Sequence, residues 1–141
     1  GEIDKNRLPE IKEKVETIKK FNRFYFQINR IASFPNLNYP KIVYLGIDYG
    51  NENLIKINKE IENKLLELNF EKEERPFTPH VTIGRSKDYT DNTKLSNTIK
   101  KFHNKKYFIN IYSRVDSISL MKSELTPDGP HYEEIFSKNI K

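Results

Sequence analysis

Residues 76–85 read Pro76-Phe77-Thr78-Pro79-His80-Val81-Thr82-Ile83-Gly84-Arg85, and the reading of the fold turns on them. Alternate side chains of a strand leave opposite faces of a sheet, so His80 and Thr82 point together from one face. Val81 and Ile83 are expected in a core on the other. An imidazole beside a hydroxyl can move a proton and donate a hydrogen bond to a phosphate oxygen. Pro76 and Pro79 keep the strand from starting earlier, because proline offers no ladder donor. Strict alternation sends Arg85 to the Val81 face, whereas Gly84 marks a bulge or kink that would re-aim the guanidinium. Both placements stay open, the first pairing Arg85 with a carboxylate on the back of the sheet. A lone His-x-Thr triplet also describes an ordinary strand histidine.

Upstream of this stretch, Glu71 to Arg75 form a charged loop, and Leu54, Ile57, Ile61, Leu65 and Leu68 predict a helix that stops at Asn69. Ile42 to Asp48 reads as a strand with Val43, Leu45 and Ile47 on one face and Tyr44 on the other, broken by Asp48-Tyr49-Gly50-Asn51. Phe24, Phe26 and Ile28 alternate in a strand ending near Phe34-Pro35-Asn36, with a turn from Asn36 to Pro40. Leu8, Ile11, Val15, Ile18 and Phe21 predict an amphipathic first helix, capped by Asn6 with Pro9 in its first turn. Downstream, Ser86 to Asn92 is a polar connection, and Leu95, Ile99 and Phe102 define a third helix. Tyr107 to Tyr112 and Val115 to Met121 read as two strands around Ser113-Arg114. Thr126-Pro127-Asp128-Gly129-Pro130 is a forced turn before a closing strand from Tyr132 to Lys138. The order of elements predicts one α+β domain over residues 1–141, with helices covering mainly antiparallel sheets.

At 141 residues the chain is long enough for one core of useful size. Hydrophobic residues make up 35% and charged residues 32%, and no apolar run approaches the length that spans a bilayer. Gly1-Glu2-Ile3-Asp4-Lys5 is too polar for a secretory signal. The chain lacks cysteine, which excludes disulfides and thiolate metal sites and fits a cytoplasmic setting. His80, His103 and His131 are scattered and lack clustered carboxylates, so no metal site is spelled out. A net charge of +5 and a pI near 9.2 suit a polyanionic partner such as RNA. A solvated lysine surface accounts for that charge equally well, the one visible cluster being Lys100-Lys101 with Lys105-Lys106.

Residues 74–85, together with Leu125-Thr126-Pro127-Asp128-Gly129-Pro130-His131-Tyr132 downstream, resemble the two-histidine phosphoesterase superfamily. Within it the pattern is similar to the bacterial and archaeal RNA 2',3'-cyclic phosphodiesterases, historically called 2'-5' RNA ligases. Ala32-Ser33-Phe34-Pro35 and Lys41-Ile42-Val43-Tyr44-Leu45-Gly46-Ile47 share the family's cadence, so the resemblance spans nearly the whole chain. It implies a two-lobed fold in which two His-x-Thr strands face each other across a cleft. This sequence contains one such triplet, since His103 precedes Asn104-Lys105 and His131 precedes Tyr132-Glu133. Gly1-Glu2-Ile3 resembles the segment just downstream of the family's first motif. The N-terminal part of the fold, with that motif, is therefore expected upstream of Gly1.

On this resemblance His80 is the catalytic base that activates water, and Thr82 bonds a nonbridging phosphate oxygen. Arg85 becomes a phosphate-site residue, and Tyr132 either contacts substrate or packs within its strand. Tyr44 and Phe77 either stack on bases or enter the core, and His131 lies on the cleft rim. The implied protein is a monomeric hydrolase of RNA 2',3'-cyclic phosphate ends that leaves a 2'-phosphate and shares its site with 2'-5' ligation. It requires neither metal nor cofactor, and the 141 residues alone are expected to be inactive. The alternative is an RNA- or nucleotide-binding module that kept one phosphate anchor and lost catalysis. A His-x-Thr strand encoded before Gly1 would favour the enzyme.

Overall fold

A computed structural model describes residues 3–87, 90–105, 110–127 and 129–140. In chain order the elements are α1 (Leu8–Glu16), β1 (Phe24–Pro35), β2 (Pro40–Ile47), α2 (Asn51–Leu66), β3 (His80–Arg85), α3 (Asn92–His103), β4 (Ile111–Val115), β5 (Ser117–Thr126) and β6 (Gly129–Asn139). They form an α+β fold of two compact units. One comprises Gly1–Phe24, Lys56–Pro76 and Val115–Lys141, the other Tyr25–Ile55 and Phe77–Arg114.

The first unit is built on α1. Its N-terminal side is organised by Asp4, whose carboxylate accepts the Asn6 amide at 2.9 Å and closes a 3-10 turn over Lys5–Arg7. Asn6 therefore sits inside that turn and does not cap the helix as its residue type predicts. Pro9 occupies the first turn as expected. The apolar periodicity runs on to Phe21, but α1 ends at Glu16 with Thr17 as cap. The Lys138 ammonium, from β6, donates to the carbonyls of Val15 (3.3 Å), Glu16 and Ile18 (2.7 Å), satisfying acceptors that a helix end leaves open. Ile11, Val15 and Ile18 form the buried centre, covered by Ile61 and Leu65 of α2 and by Ile118, Leu120 and Phe136 of the hairpin.

Asn69 stops the α2 segment as the sequence predicts. It adopts φ 61°, and its amide and that of Phe70 bond back to the carbonyls of Leu66 and Leu65. β5 and β6 pair antiparallel from Ser117↔Asn139 to Thr126↔Gly129, with Gly129 at φ 125°. Asp128 of the predicted turn lies outside the described residues.

The second unit carries a four-stranded sheet in the order β3-β2-β1-β4, in which β2 pairs antiparallel with both β1 and β3. Gly50 makes the turn after β2 at φ 79°, where an added Cβ would meet the Phe26 Cα at 2.8 Å. α3 starts on Asp91, whose carboxylate accepts the Lys94 amide at 3.0 Å, and it is tied down by Ser96 Oγ donating to the Leu37 carbonyl at 2.6 Å.

Two sequence expectations fail here. The strand break falls at Asp116, not at Ser113-Arg114, which lie within β4. Neither serine nor arginine breaks a strand, whereas Asp116 stands where the chain leaves the four-stranded sheet for the hairpin. The first part of the expected Tyr107–Tyr112 strand falls on residues 106–109, outside the described residues. Val81 and Ile83 are 42% and 55% exposed instead of in a core, because among the described residues β3 is the outermost strand, flanked by β2 alone. Among the described residues no helix is long and apolar enough to cross a membrane.

Replacing Lys138 by Ala removes the cation that bonds the end of α1. The substitution should lower stability by about 1–2 kcal/mol, read as a lower urea midpoint with an unchanged slope.

Candidate active site

Sheet register sets the site. Residues directly opposite in an antiparallel pair share a face, and Ile42, Tyr44 and Gly46 alternate along β2 onto one face. Gly46 pairs with His80, Tyr44 with Thr82, and Ile42 with Arg85. His80, Thr82 and Arg85 therefore emerge on the same side of the sheet. Arg85 joins them because Val43 pairs with Gly84 while Tyr44 pairs with Thr82, leaving Ile83 as the extra residue of a bulge. Of the two placements that the sequence leaves open, the structure adopts the re-aimed one. Among the described residues no carboxylate pairs with Arg85.

The His80 ring is held on three sides. Its Nδ1 lies 2.6 Å from the Thr78 carbonyl. A carbonyl only accepts, so Nδ1 carries the proton and the neutral ring presents Nε2 as a free base. Pro79 favours the extended conformation of Thr78 that this contact uses. The edges of Phe34 and Tyr44 meet the ring at centroid distances of 5.1 and 5.2 Å, in T-shaped arrangements. Tyr44 is itself buried and stacks on Phe34 at 4.3 Å, so that ring face is taken by a core neighbour. Phe77 is 44% exposed.

The register places a residue on this face that sequence reasoning missed. Ile28 pairs with Ile47 and Arg30 with Gly46, so Asn29 is an extra residue in β1 and Arg30 swings onto the His80 side. Arg30, Gly46 and His80 then form one row across three strands. The Arg30 side chain lies over Gly46, its Cγ and Cδ at 2.8 and 3.2 Å from where a Cβ would be. Its guanidinium donates to one oxygen of Asp48, and Asn29 Nδ2 donates to the other at 2.9 Å. The usable signal was Gly46, since a glycine inside a strand often marks close approach of another group.

Beside this row opens a cavity of about 810 Å³, lined by Arg30, Tyr44, Asn29, Gln27, Asn104 and Lys105 among others. His103 also lines it and donates from Nδ1 to the Ile31 carbonyl at 2.6 Å. In the basic cluster, Lys100 bonds Asn38 Oδ1 at 2.6 Å and Lys105 lies 5.7 Å from the Phe102 ring, while Lys106 is outside the described residues. Among the described residues no group of three or more His, Asp or Glu is placed to hold a metal ion.

Tyr132 belongs to the other unit. It pairs with Ser123 in the hairpin and is 61% exposed. The extra residue Ile135 separates its register from that of core-facing Phe136. His131, opposite Glu124, is also exposed.

Residues 2–127 match the model of the 2'-5' RNA ligase superfamily. The chain belongs to that superfamily. Its relatives include the RNA 2',3'-cyclic phosphodiesterase of Methanocaldococcus jannaschii, 38% identical over 135 residues, covering 96% of this chain and 73% of the relative. The protein of the same description from Thermotoga maritima is 33% identical over 137 residues, covering 96% and 69%. Two solved structures share the fold. TT0787 of Thermus thermophilus superimposes with a TM-score of 0.75 at 19% identity, over 99% of this chain and 73% of that one. Escherichia coli LigT, crystallised with 3'-AMP, does so with a TM-score of 0.73 at 17% identity, over 99% and 71%.

A long-range proton–nitrogen NMR correlation of neutral His80 should show the proton on Nδ1. A proton on Nε2 would mean that the Thr78 carbonyl does not set the tautomer.

Proposed function

We propose that this protein hydrolyses RNA 2',3'-cyclic phosphate ends to 2'-phosphates, with His80 as general base. The observation that carries the reading is His80, with Nδ1 held by the Thr78 carbonyl, on the same sheet face as the Thr82 hydroxyl and the Arg85 guanidinium, which no carboxylate among the described residues pairs. The relatives named as RNA 2',3'-cyclic phosphodiesterases support the substrate class.

His80 Nε2 takes a proton from water as the water oxygen bonds to phosphorus. The bond from phosphorus to O3' breaks, and O3' leaves with a proton from a general acid. The family resemblance assigns that acid to a second His-x-Thr histidine, which these 141 residues do not contain. Thr82 donates to a nonbridging oxygen as charge grows there, and Arg85 balances that charge through its fork of N–H groups. The ring contacts from Thr78, Phe34 and Tyr44 hold the base in place before substrate arrives, so little ordering is left for the reaction itself. In this reading 2'-5' ligation is the same exchange at phosphorus with a ribose hydroxyl in place of water.

Two measurements test this. In the full-length gene product, His80→Ala should abolish turnover of a dinucleotide ending in a 2',3'-cyclic phosphate while the circular dichroism spectrum stays unchanged. Thr82→Ala should cost about 10²–10³ in kcat, the scale of one lost oxyanion donor. Full activity of His80→Ala would reject the mechanism. The 141 residues expressed alone should show at most a trace of the turnover, and a rate equal to that of the full-length product would remove the need for a second histidine.

A further inference from the structure

We propose that the cavity beside Arg30 binds the nucleotide on the 5' side of the cyclic phosphate, with Arg30 gripping the phosphodiester that joins the two. This rests on the reading that the cyclic phosphate sits at His80 and Thr82, and it adds what that reading leaves open: selection of RNA ends over mononucleotides.

Three observations carry it. The first is position. Arg30 shares a row with His80, and its stem lies over β2, so its charge stands about one strand spacing (~4.8 Å) from the His80 backbone. A phosphate at His80 and Thr82 has Arg85 on one side along the sheet and Arg30 on the other.

The second is the state of the guanidinium. Asp48 receives an Nη1 donor, and the five N–H groups of an arginine leave others for a ligand. Both carboxylate oxygens of Asp48 are occupied, one by Arg30 and one by Asn29, so Asp48 holds the fork in a fixed orientation. An arginine placed this way offers planar recognition of a phosphate, at less entropic cost than a free side chain.

The third is the cavity that Arg30 opens into. Its volume of about 810 Å³ lies within the range of small-ligand sites. The amides of Gln27, Asn29 and Asn104 line it, together with the Lys105 ammonium. Amides both donate and accept, which suits the edge of a nucleobase and the hydroxyls of a ribose. A mononucleotide cyclic phosphate has no second phosphodiester for Arg30 and nothing to extend into this space.

The test compares two substrates in the full-length gene product, a 2',3'-cyclic mononucleotide and a dinucleotide ending in a 2',3'-cyclic phosphate. Arg30→Gln should lower kcat/KM for the dinucleotide by about 10- to 100-fold more than for the mononucleotide, the scale of one charge-assisted hydrogen bond. Gly46→Ala should give the same signature, because its Cβ takes the space now filled by the Arg30 side chain. The double variant should be no worse than Arg30→Gln alone. Equal losses on both substrates, or losses that add in the double variant, overturn the proposal.

If wild-type protein turns over neither substrate, the hydrolytic reading fails, and the groove is judged by binding alone. An RNA trimer with a 3'-phosphate and a 5' fluorophore should then bind with a salt slope that flattens by about 0.7 in Arg30→Gln, as expected for one lost single-strand phosphate contact. An unchanged slope rejects the groove as a phosphodiester site.

Discussion

A strand has a side-chain period of two, and one extra residue sends everything beyond it to the opposite face. The candidate site face of the second unit depends on two such insertions. Asn29 in β1 and Ile83 in β3 each add a residue against β2, and each turns the next arginine toward His80. Without either insertion, strict alternation would return and send Arg30 or Arg85 to the back of the sheet. A regular sheet with this sequence would turn both arginines away from the imidazole and the hydroxyl. Bulges give up ladder hydrogen bonds and regular twist, and here they concentrate positive charge where a phosphate would lie.

The charged layer rests on an apolar one. Tyr44 and Phe34 stack beneath it, Tyr44 nearly sealed from solvent, and both meet the His80 ring edge-on. The ring is thus packed from below and bonded through Nδ1 while the residue as a whole stays open to solvent. Exposure and fixed geometry usually compete, because a side chain at a surface keeps its rotamer freedom. At His80 they coexist because the restraints are two aromatic neighbours and a bond to Nδ1, none of which engages Nε2. An imidazole on a strand, braced in this way, keeps its orientation without any rearrangement.

Much of this could be read from the residues. Alternation gave the shared face of His80 and Thr82, and Gly84 marked the place where alternation fails. Asn69 was recognisable as a stop because asparagine tolerates positive φ. What escaped was information held by neighbours and not by the segment itself. Val81 and Ile83 have the pattern of core residues, but burial depends on how many strands flank β3, which its own sequence does not record. Asn6 has the chemistry of a cap, yet Asp4 two residues earlier reaches its amide first. The bulge at Asn29 carries no glycine of its own. Its only trace is Gly46, on the partner strand, which becomes informative once the two strands are set in register.

Gly46 joins these levels. A glycine within a strand typically costs about 0.5–1 kcal/mol against alanine, because it loses more conformational freedom on folding and offers no side chain to pack. Here the space of the missing methyl is occupied by the stem of Arg30, so packing contact is recovered from the neighbouring strand. The exchange does more than fill a gap, because a side chain that would otherwise stand off β1 is laid across β2. Its guanidinium then meets Asp48 at the end of β2, where the fork is fixed with donors to spare. An extra residue in one strand and an absent methyl in the next thus bring a charge to the row of His80. Each alone would miss: the bulge without Gly46 would push the arginine upright, and Gly46 without the bulge would leave its hollow empty.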